Sequence, residues 1–209
     1  MPKVEPFEKH ADIYEEWFVR NKFAYESELQ AIRAMLPKDG TGIEIGVGTG
    51  RFAAPIGIKI GVEPSKTMRK IAQKKGIEVV NGVAESIPFD NNQFDFVLMV
   101  TTICFLDDIE TSFKEVFRVL KSKALFIIGF IDRNSLIGKL YQKRKNMSIF
   151  YKEAKFYSVD EITFYLKKSG FRELSFMQTI YKDLRELKDI EPVKEGYGEG
   201  SFVVVRGVK

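Results

Sequence analysis

The sequence predicts an α/β fold, a three-layer sandwich in which helices cover both faces of a mostly parallel sheet. Two observations carry this. Between Gly42 and Ile131 short apolar runs alternate with helical patterns, the rhythm that parallel strands and their crossover helices impose. The 209 residues are 44% hydrophobic and 30% charged, a composition that buries a core without disulfide or metal staples.

The elements follow in order. Phe7, Ala11, Tyr14, Trp17 and Phe18 fall near one face of a helix over 7–18. A second helix is expected over 25–36, with Leu29, Ile32 and Leu36 inward and Pro37 at its end. Strands are expected at 43–47, 58–62, 77–80, 94–100 and 125–131. The intervening helices are a short one after Gly50, then 65–75, then 108–120. Residues 86–93 read as a turn-rich loop, and 132–157 as a polar, basic and aromatic stretch. Ser158 with Glu161 forms a capping box for a helix that ends at Gly170. Two last strands, 171–180 and 201–208, flank a charged loop ending in Gly196, Gly198 and Gly200.

Charge and cysteine usage narrow the setting. The 33 basic and 29 acidic residues leave a net charge of +4, which neither demands nor excludes a polyanionic partner. A single cysteine, Cys104, rules out an internal disulfide framework and predicts a cytoplasmic chain. The opening M-P-K-V-E-P is charged and lacks the apolar core of a secretion signal. The longest apolar run, 124–131, falls well short of the roughly 20 residues that span a bilayer. No membrane partner is expected.

The sharpest motif is E-I-G-V-G-T-G, from Glu44 to Gly50, at the end of the first sheet strand. Glycine lets a backbone turn tightly and approach a ligand where a side chain would clash, and the carboxyl ends of parallel strands are the usual ligand crevice. Glu63 ends the second strand in G-V-E-P-S, where a carboxylate can accept from two ribose hydroxyls. Glu44 stands where a dinucleotide site takes an apolar residue, and a carboxylate there suits a ligand with an ammonium group. A dinucleotide fingerprint needs G-x-G-x-x-G. Here the third position is Arg51 and the loop reads G-x-G-x-G, so no pyrophosphate cradle is indicated.

With these motifs the chain resembles the class I S-adenosylmethionine (SAM)-dependent methyltransferases, in particular their small-molecule group. E-I-G-V-G-T-G-R-F, G-V-E-P-S-K-T-M, N-G-V-A-E-S-I-P-F and F-D-F-V-L-M-V occur in order, followed by E-V-F-R-V-L-K and K-K-S-G-F. The resemblance implies a Rossmann-like, seven-stranded sheet with a final antiparallel strand, and SAM as cofactor. It implies one domain over 1–209: cover helices in 1–40, the SAM-binding core in 41–131, an acceptor-site cover in 132–157, and a closing helix and strands in 158–209. Gly46 and Gly48, with Val47 between them, would pass beneath the methionine part, and Glu44 would face its amino group. Glu63 would hold the ribose, while Pro64, Ser65 and Met68 would flank the adenine. Ala84 would offer its N–H to the adenine edge beside Glu85, and Val100 and Thr101 would present backbone groups to the amino-acid end.

Three departures from the family pattern stand out. The aspartate that many relatives carry before the equivalent of Ala84 is Val83, so that contact is missing or Glu85 supplies it. The common P-G-G turn is Ser122, Lys123 and Ala124, and the histidine pair after the fourth strand is Cys104 and Phe105.

Methyl transfer from a sulfonium is an in-line displacement in which positioning can supply on the order of 7–11 kcal/mol. A general base is needed only if the acceptor must lose a proton. His10 and Tyr14 are the candidates for a catalytic role, and Trp17, Phe105 and Tyr141 for the acceptor pocket. Asp107 and Asp108 read as a helix start, and Cys104 as a core or pocket-wall residue. No ligand cluster points to a metal. The expected activity is methylation of a nitrogen or oxygen of a small molecule. The alternatives are an RNA or protein methyltransferase that docks through the basic aromatics of 139–157, and a non-catalytic SAM-binding regulator.

Overall fold

Apolar runs of the spacing described above pair into one eight-stranded sheet in a computed structural model that describes residues 4–209. The first three residues of the charged N-terminal stretch lie outside the described residues. The strands are β1 (Gly42–Ile45), β2 (Ile60–Val62), β3 (Glu78–Val80), β4 (Phe94–Val100), β5 (Leu120–Ile131), β6 (Arg172–Thr179), β7 (Lys194–Glu195) and β8 (Phe202–Val208). Their spatial order is β3-β2-β1-β4-β5-β8-β6-β7. The first five run parallel. β8 inserts antiparallel between β5 and β6, and β7 pairs antiparallel with the outer edge of β6. The final antiparallel strand stands as expected, and β7 makes the sheet eight-stranded rather than seven. A two-residue edge strand inside a charged loop is too short to leave a period in the sequence.

The helices are α1 (Glu5–Lys9), α2 (Ala11–Arg20), α3 (Lys22–Arg33), α4 (Ala53–Ile56), α5 (Lys66–Lys74), α6 (Ile109–Val119), α7 (Leu136–Arg144) and α8 (Val159–Lys168). Strand alternation divides the core between the two faces of the sheet. Val97 and Met99 of β4 pack with Phe113 of α6 and Ile162 of α8. Phe96 and Leu98 face the other way, toward Leu29 and Ile32 of α3, Ala53 of α4 and Ala72 of α5. On β1, Ile43 and Ile45 join the first cluster, which turns Glu44 to the opposite face.

Several elements differ from the sequence reading. The helix expected over 7–18 is two, because the chain breaks at His10 (φ −130°, ψ 37°) before α2 continues to Arg20. The basic stretch contains α7, whose first turn is capped by the Ser135 hydroxyl accepting from the Gly138 N–H at 3.0 Å. The capping box at α8 forms: Ser158 accepts the Glu161 N–H at 3.3 Å, and Glu161 accepts the Ser158 N–H at 2.8 Å. No helix among the described residues is long and apolar enough to cross a membrane.

β5 begins at Leu120, directly after α6, and its pairing with β4 shifts register between Phe94 and Phe96. The extra residues bulge out, with Lys123 in the left-handed region at φ 62°. A lysine there carries about 1–2 kcal/mol of steric cost that glycine avoids, partly offset by the greater freedom of glycine in the unfolded chain. Lys123→Gly should therefore raise stability by about 0.5–1 kcal/mol, read as a higher denaturant midpoint at constant slope. A lower midpoint would mean that the lysine side chain contributes a contact worth more than its backbone strain.

Candidate active site

Strand β1 lies between β2 and β4, so the chain leaves its carboxyl end where the strand order reverses, the position at which open parallel sheets form a crevice. A cavity of ≈ 590 Å³ opens there, within the roughly 300–1,000 Å³ of small-molecule sites. The turn after β1 is held by two donors onto one carbonyl: the Gly46 and Val47 N–H groups reach the Val62 oxygen at 2.8 and 3.1 Å. Gly46, Gly48 and Gly50 all have positive φ, at 72°, 54° and 78°. A Cβ on Gly46 would stand 2.4 Å from the Thr102 side chain, and one on Gly50 2.4 Å from Ile77. On Gly48 the nearest atom is the Tyr14 hydroxyl at 3.4 Å, an ordinary contact. Gly48 is thus the glycine that turns an open face toward the cavity.

Glu63, at the end of β2, is buried and engages both neighbouring turns. One oxygen accepts the Gly48 N–H and the other the Ser65 N–H, each at 2.9 Å. Burial pushes its carboxyl above the usual range, against the pull of those two donors. Glu44 is 1% exposed, and one of its oxygens has no hydrogen-bond partner among the described residues. Burial drives its carboxyl well above the usual range as well, opposed by the Ala53 backbone N–H.

Most residues expected at the site meet on the cavity wall: Gly46, Gly48, Glu63, Pro64, Met68, and, across the crevice, Ala84, Glu85, Val100 and Thr101. Thr101 holds φ 51° while its N–H donates to the Gly129 oxygen at 2.8 Å, a strained conformation of the kind that accumulates at functional sites. Glu44, Val47 and Ser65 do not line the cavity. The Val47 side chain packs so closely over β2 that a Cβ on Gly61 would be 2.6 Å from it. Ser65 caps α5 by accepting the Met68 N–H at 3.2 Å. Glu85 directs one oxygen to the Asp107 and Asp108 N–H groups at 2.9 and 3.2 Å. Asp108 caps α6, as the sequence indicated.

Trp17, Phe105 and Tyr141 line the cavity too. Trp17 and Tyr141 belong to the two cover segments, and Phe105 to the turn after β4 that those segments meet. Phe7 of α1 contacts Phe105 and Phe150, with centroids 5.0 and 5.2 Å apart, and Tyr151 stacks on Tyr141 at 5.1 Å. The lysines of the basic stretch, by contrast, stay exposed at 139, 143, 152 and 155. Glu15 fastens α2 to the glycine turn through Thr49 and Arg51 (2.5 Å) and to the end of α5 through Lys75 (3.4 Å). His10 is the joint between α1 and α2 and is not on the cavity wall. Tyr14 is on it, and burial together with the charges of Glu44 and Glu63 pushes its phenol far up. It keeps its proton and can act as a donor, not as a base.

The sequence reading missed Glu28. It lies on α3, 3% exposed, on the cavity wall, with no hydrogen bond from a described residue. A signal was present: Glu28 follows Ala24 by four residues and precedes Ala31 and Met35 by three and seven, all of them buried. A charged residue in line with an apolar stripe is out of place on packing grounds.

Together these features define a nucleoside-binding α/β enzyme, with a glycine turn after β1, an acid after β2 and one covered cavity between them. Comparison with known proteins makes the class specific. A model of the family described as "Methyltransferase domain" matches residues 43–128. The chain is 53% identical to a SAM-dependent methyltransferase, possible histamine N-methyltransferase, of Thermotoga maritima, covering 99% of both chains with a TM-score of 0.97. It is 46% identical to an uncharacterised protein of Methanocaldococcus jannaschii over 97% of this chain and 98% of that one. A demethylmenaquinone methyltransferase of Chlorobaculum tepidum is 36% identical over 47% of this chain and 45% of its own length. The chain belongs to the SAM-dependent methyltransferases, and SAM is its cofactor.

Glu28 gives this site a measurable pH signature. Burial raises its carboxyl from 4.5 to about 8, so the folded protein retains a proton that the unfolded chain releases. Below pH 4.5 both states are protonated and nothing is lost. Between there and pH 8 the folded state loses about 1.4 kcal/mol per pH unit relative to the unfolded one, and above pH 8 the cost is constant. Glu28→Gln removes the titration. Its melting temperature should match that of the parent near pH 4.5 and exceed it increasingly up to pH 8.5. A difference that stays flat across that range would refute burial of the carboxyl.

Proposed function

We propose that the enzyme transfers the methyl group of SAM to a nitrogen or oxygen of a small molecule inside the covered cavity. The observation that carries this reading is the aromatic roof: Phe7, Tyr14, Phe105 and Phe150 join the two cover segments above the glycine turn. A roof of this kind excludes water and limits the size of the acceptor. It also gives a reason why 150, 151 and 156 are aromatic without invoking RNA, since those rings turn inward while the neighbouring lysines stay in solvent. The single buried cysteine supports a cytoplasmic setting.

The residues present fit the cofactor. Glu44 offers a buried, unpartnered carboxylate oxygen, suited to the amino group directly or through water. Glu63 retains lone pairs beyond the two that its backbone donors use, enough for the ribose hydroxyls. Gly48 leaves its open face to the methionine portion, Pro64 and Met68 bound the adenine, and Ala84 supplies a backbone donor. Glu85 has one oxygen engaged by Asp107 and Asp108, which leaves the other for the adenine amino group in place of the aspartate absent at Val83. Val100 and Thr101 close the amino-acid end. When bound, SAM supplies an electrophilic methyl on a sulfonium. The protein orients the acceptor behind that methyl, keeps water out with Phe105 and Tyr141, and turns the faces of Tyr14 and Trp17 toward a cationic centre. Tyr14 donates a hydrogen bond and takes no proton.

Two measurements test this. Incubated with methyl-tritiated SAM and fractionated cell extract, the enzyme should label the low-mass fraction. Label confined to RNA or protein would overturn the small-molecule reading. Glu63→Ala should weaken SAM binding by about tenfold or more, equivalent to about 1.4 kcal/mol, and should also lower the melting temperature, because the Gly48 and Ser65 N–H groups lose their acceptor. Unchanged affinity by calorimetry would remove the ribose assignment.

A further inference from the structure

One buried acid has no duty in the cofactor site described above. Glu28 sits on α3 with 3% of its surface exposed, on the wall of the cavity. The aromatic residues that share the cavity wall with it come from three places in the chain. Tyr14 and Trp17 belong to α2, Tyr141 to α7, and Tyr151 follows the turn after α7. Glu28, Tyr14, Trp17, Tyr141 and Tyr151 line the same cavity. Beyond the effect of burial, the charge of Glu28 opposes ionisation of the Tyr141 hydroxyl and, behind stronger influences, of Tyr14 and Tyr151. Burial is the only influence on its own acidity, with no basic group contributing. Arg20 and Arg144 also border the cavity, but both are exposed and Arg20 is paired with Glu16.

A carboxyl buried in apolar and aromatic surroundings with no internal partner is destabilising by several kcal/mol if charged. It performs no structural task visible in the fold, since neither oxygen holds a backbone or side-chain donor. Its surroundings do match one ligand chemistry. Aromatic faces attract cations, most strongly where water is excluded, and a carboxylate supplies the opposite charge. Tyr141 and Tyr151, stacked at 5.1 Å, and Trp17 provide the faces.

Building on the reading that the cavity holds SAM and acceptor side by side, we propose that Glu28 is the specificity residue for an acceptor anchored by an ammonium group, a small amine with an apolar or aromatic body. The nitrogen or oxygen that is methylated is a second, uncharged atom of that acceptor with a free lone pair. The ammonium group lies among Trp17, Tyr141 and Tyr151 and forms an ion pair with Glu28. A neutral alcohol or an anion of the same shape lacks that pair. Because the empty site holds Glu28 protonated at neutral pH, capture of an ammonium ion releases that proton to solvent.

The test uses the whole protein, loaded with S-adenosylhomocysteine, and three probes of one shape: 2-phenylethylamine, 2-phenylethanol and 3-phenylpropanoate. Titration calorimetry at pH 7 in buffers of different ionisation enthalpy gives affinity and proton release together. The amine should bind at least about tenfold more tightly than the alcohol, releasing about one proton per site, and the anion should bind more weakly still. Glu28→Gln should bind S-adenosylhomocysteine as the parent does, and should lose both the amine preference and the proton release. Glu44 and Glu63, the other buried carboxylates of the region, are common to both proteins and cancel in the comparison. Glu28→Asp should recover part of the preference, which a purely structural role would not predict. An amine that binds no better than the alcohol, or a preference that survives in Glu28→Gln, overturns the proposal. Failure of the parent to bind S-adenosylhomocysteine would instead strike at the cofactor site. The same three probes titrated without nucleotide then decide the role of Glu28 by themselves.

Discussion

The Glu63 carboxylate fixes two chain reversals relative to each other, and the geometry of the cavity depends on it. Parallel pairing of β1 with β2 brings the turns that follow them side by side, but pairing alone does not set their distance. Glu63 does, by accepting from Gly48 with one oxygen and from Ser65 with the other. The Ser65 side chain in turn caps α5, and Glu8 of α1 accepts the Lys66 and Thr67 N–H groups at the same helix end. One buried acid therefore links the glycine turn, the second strand and the start of α5, with a cover helix attached just beyond. Burying a carboxylate is unfavourable, and its raised proton affinity records that. Two backbone donors offset enough of the cost to hold it in a single orientation before any ligand arrives.

The three glycines of the turn do different work. Gly46 makes room for Thr102 and Gly50 for Ile77, both contacts inside the protein. These two let the segment after β4 and the segment before β3 close upon the turn. Gly48 has no such neighbour and opens toward the cavity under the Tyr14 hydroxyl. A turn built only of tight packing glycines would be rigid but sealed. One with only open glycines would lack fixed walls. Packing on both sides of a single open position gives a fixed backbone that a ligand can approach closely.

The parts of this structure that were legible in the sequence are those governed by local periodicity. β4 is an almost unbroken apolar run, as a parallel strand buried on both faces should be, and its bounds, Phe94–Val100, match the expectation. The Ser158 and Glu161 spacing fixes the start of α8 through bonds within four residues. The glycine turn, Glu63 and the segment at 83–85 meet at one cavity because each follows the carboxyl end of one of the parallel strands β1, β2 and β3. What stayed hidden depends on tertiary neighbours. His10 breaks a helix whose apolar stripe runs straight through it, because α1 turns away to hook Glu8 onto α5. β5 starts early because α6 feeds directly into the sheet edge beside Phe94. Glu28 was passed over because α3 reads as an ordinary amphipathic helix. Its place in line with Ala24, Ala31 and Met35 was a signal, and the packing of α3 against β5, β6, β8 and α2 shows that the buried face of the helix includes it.

The proposed acceptor selectivity rests on the acids that folding gathers at the cavity. Glu28 and Glu63 lie on its wall and Glu44 is buried in the strand beneath, while the bordering arginines, Arg20 and Arg144, stay at the exposed rim. In an interior of low dielectric, a negative ligand would be opposed by any of these acids that is ionised, and would gain no attraction from those that burial keeps protonated. A cation meets the opposite field, and aromatic faces line its path. The basic residues of 139–157 do not alter this, because their charges stand outside the roof while their aromatic neighbours form its underside. The net charge of the chain is positive, yet the sign that a ligand encounters is set by the few acids that folding places within reach of the reacting centre.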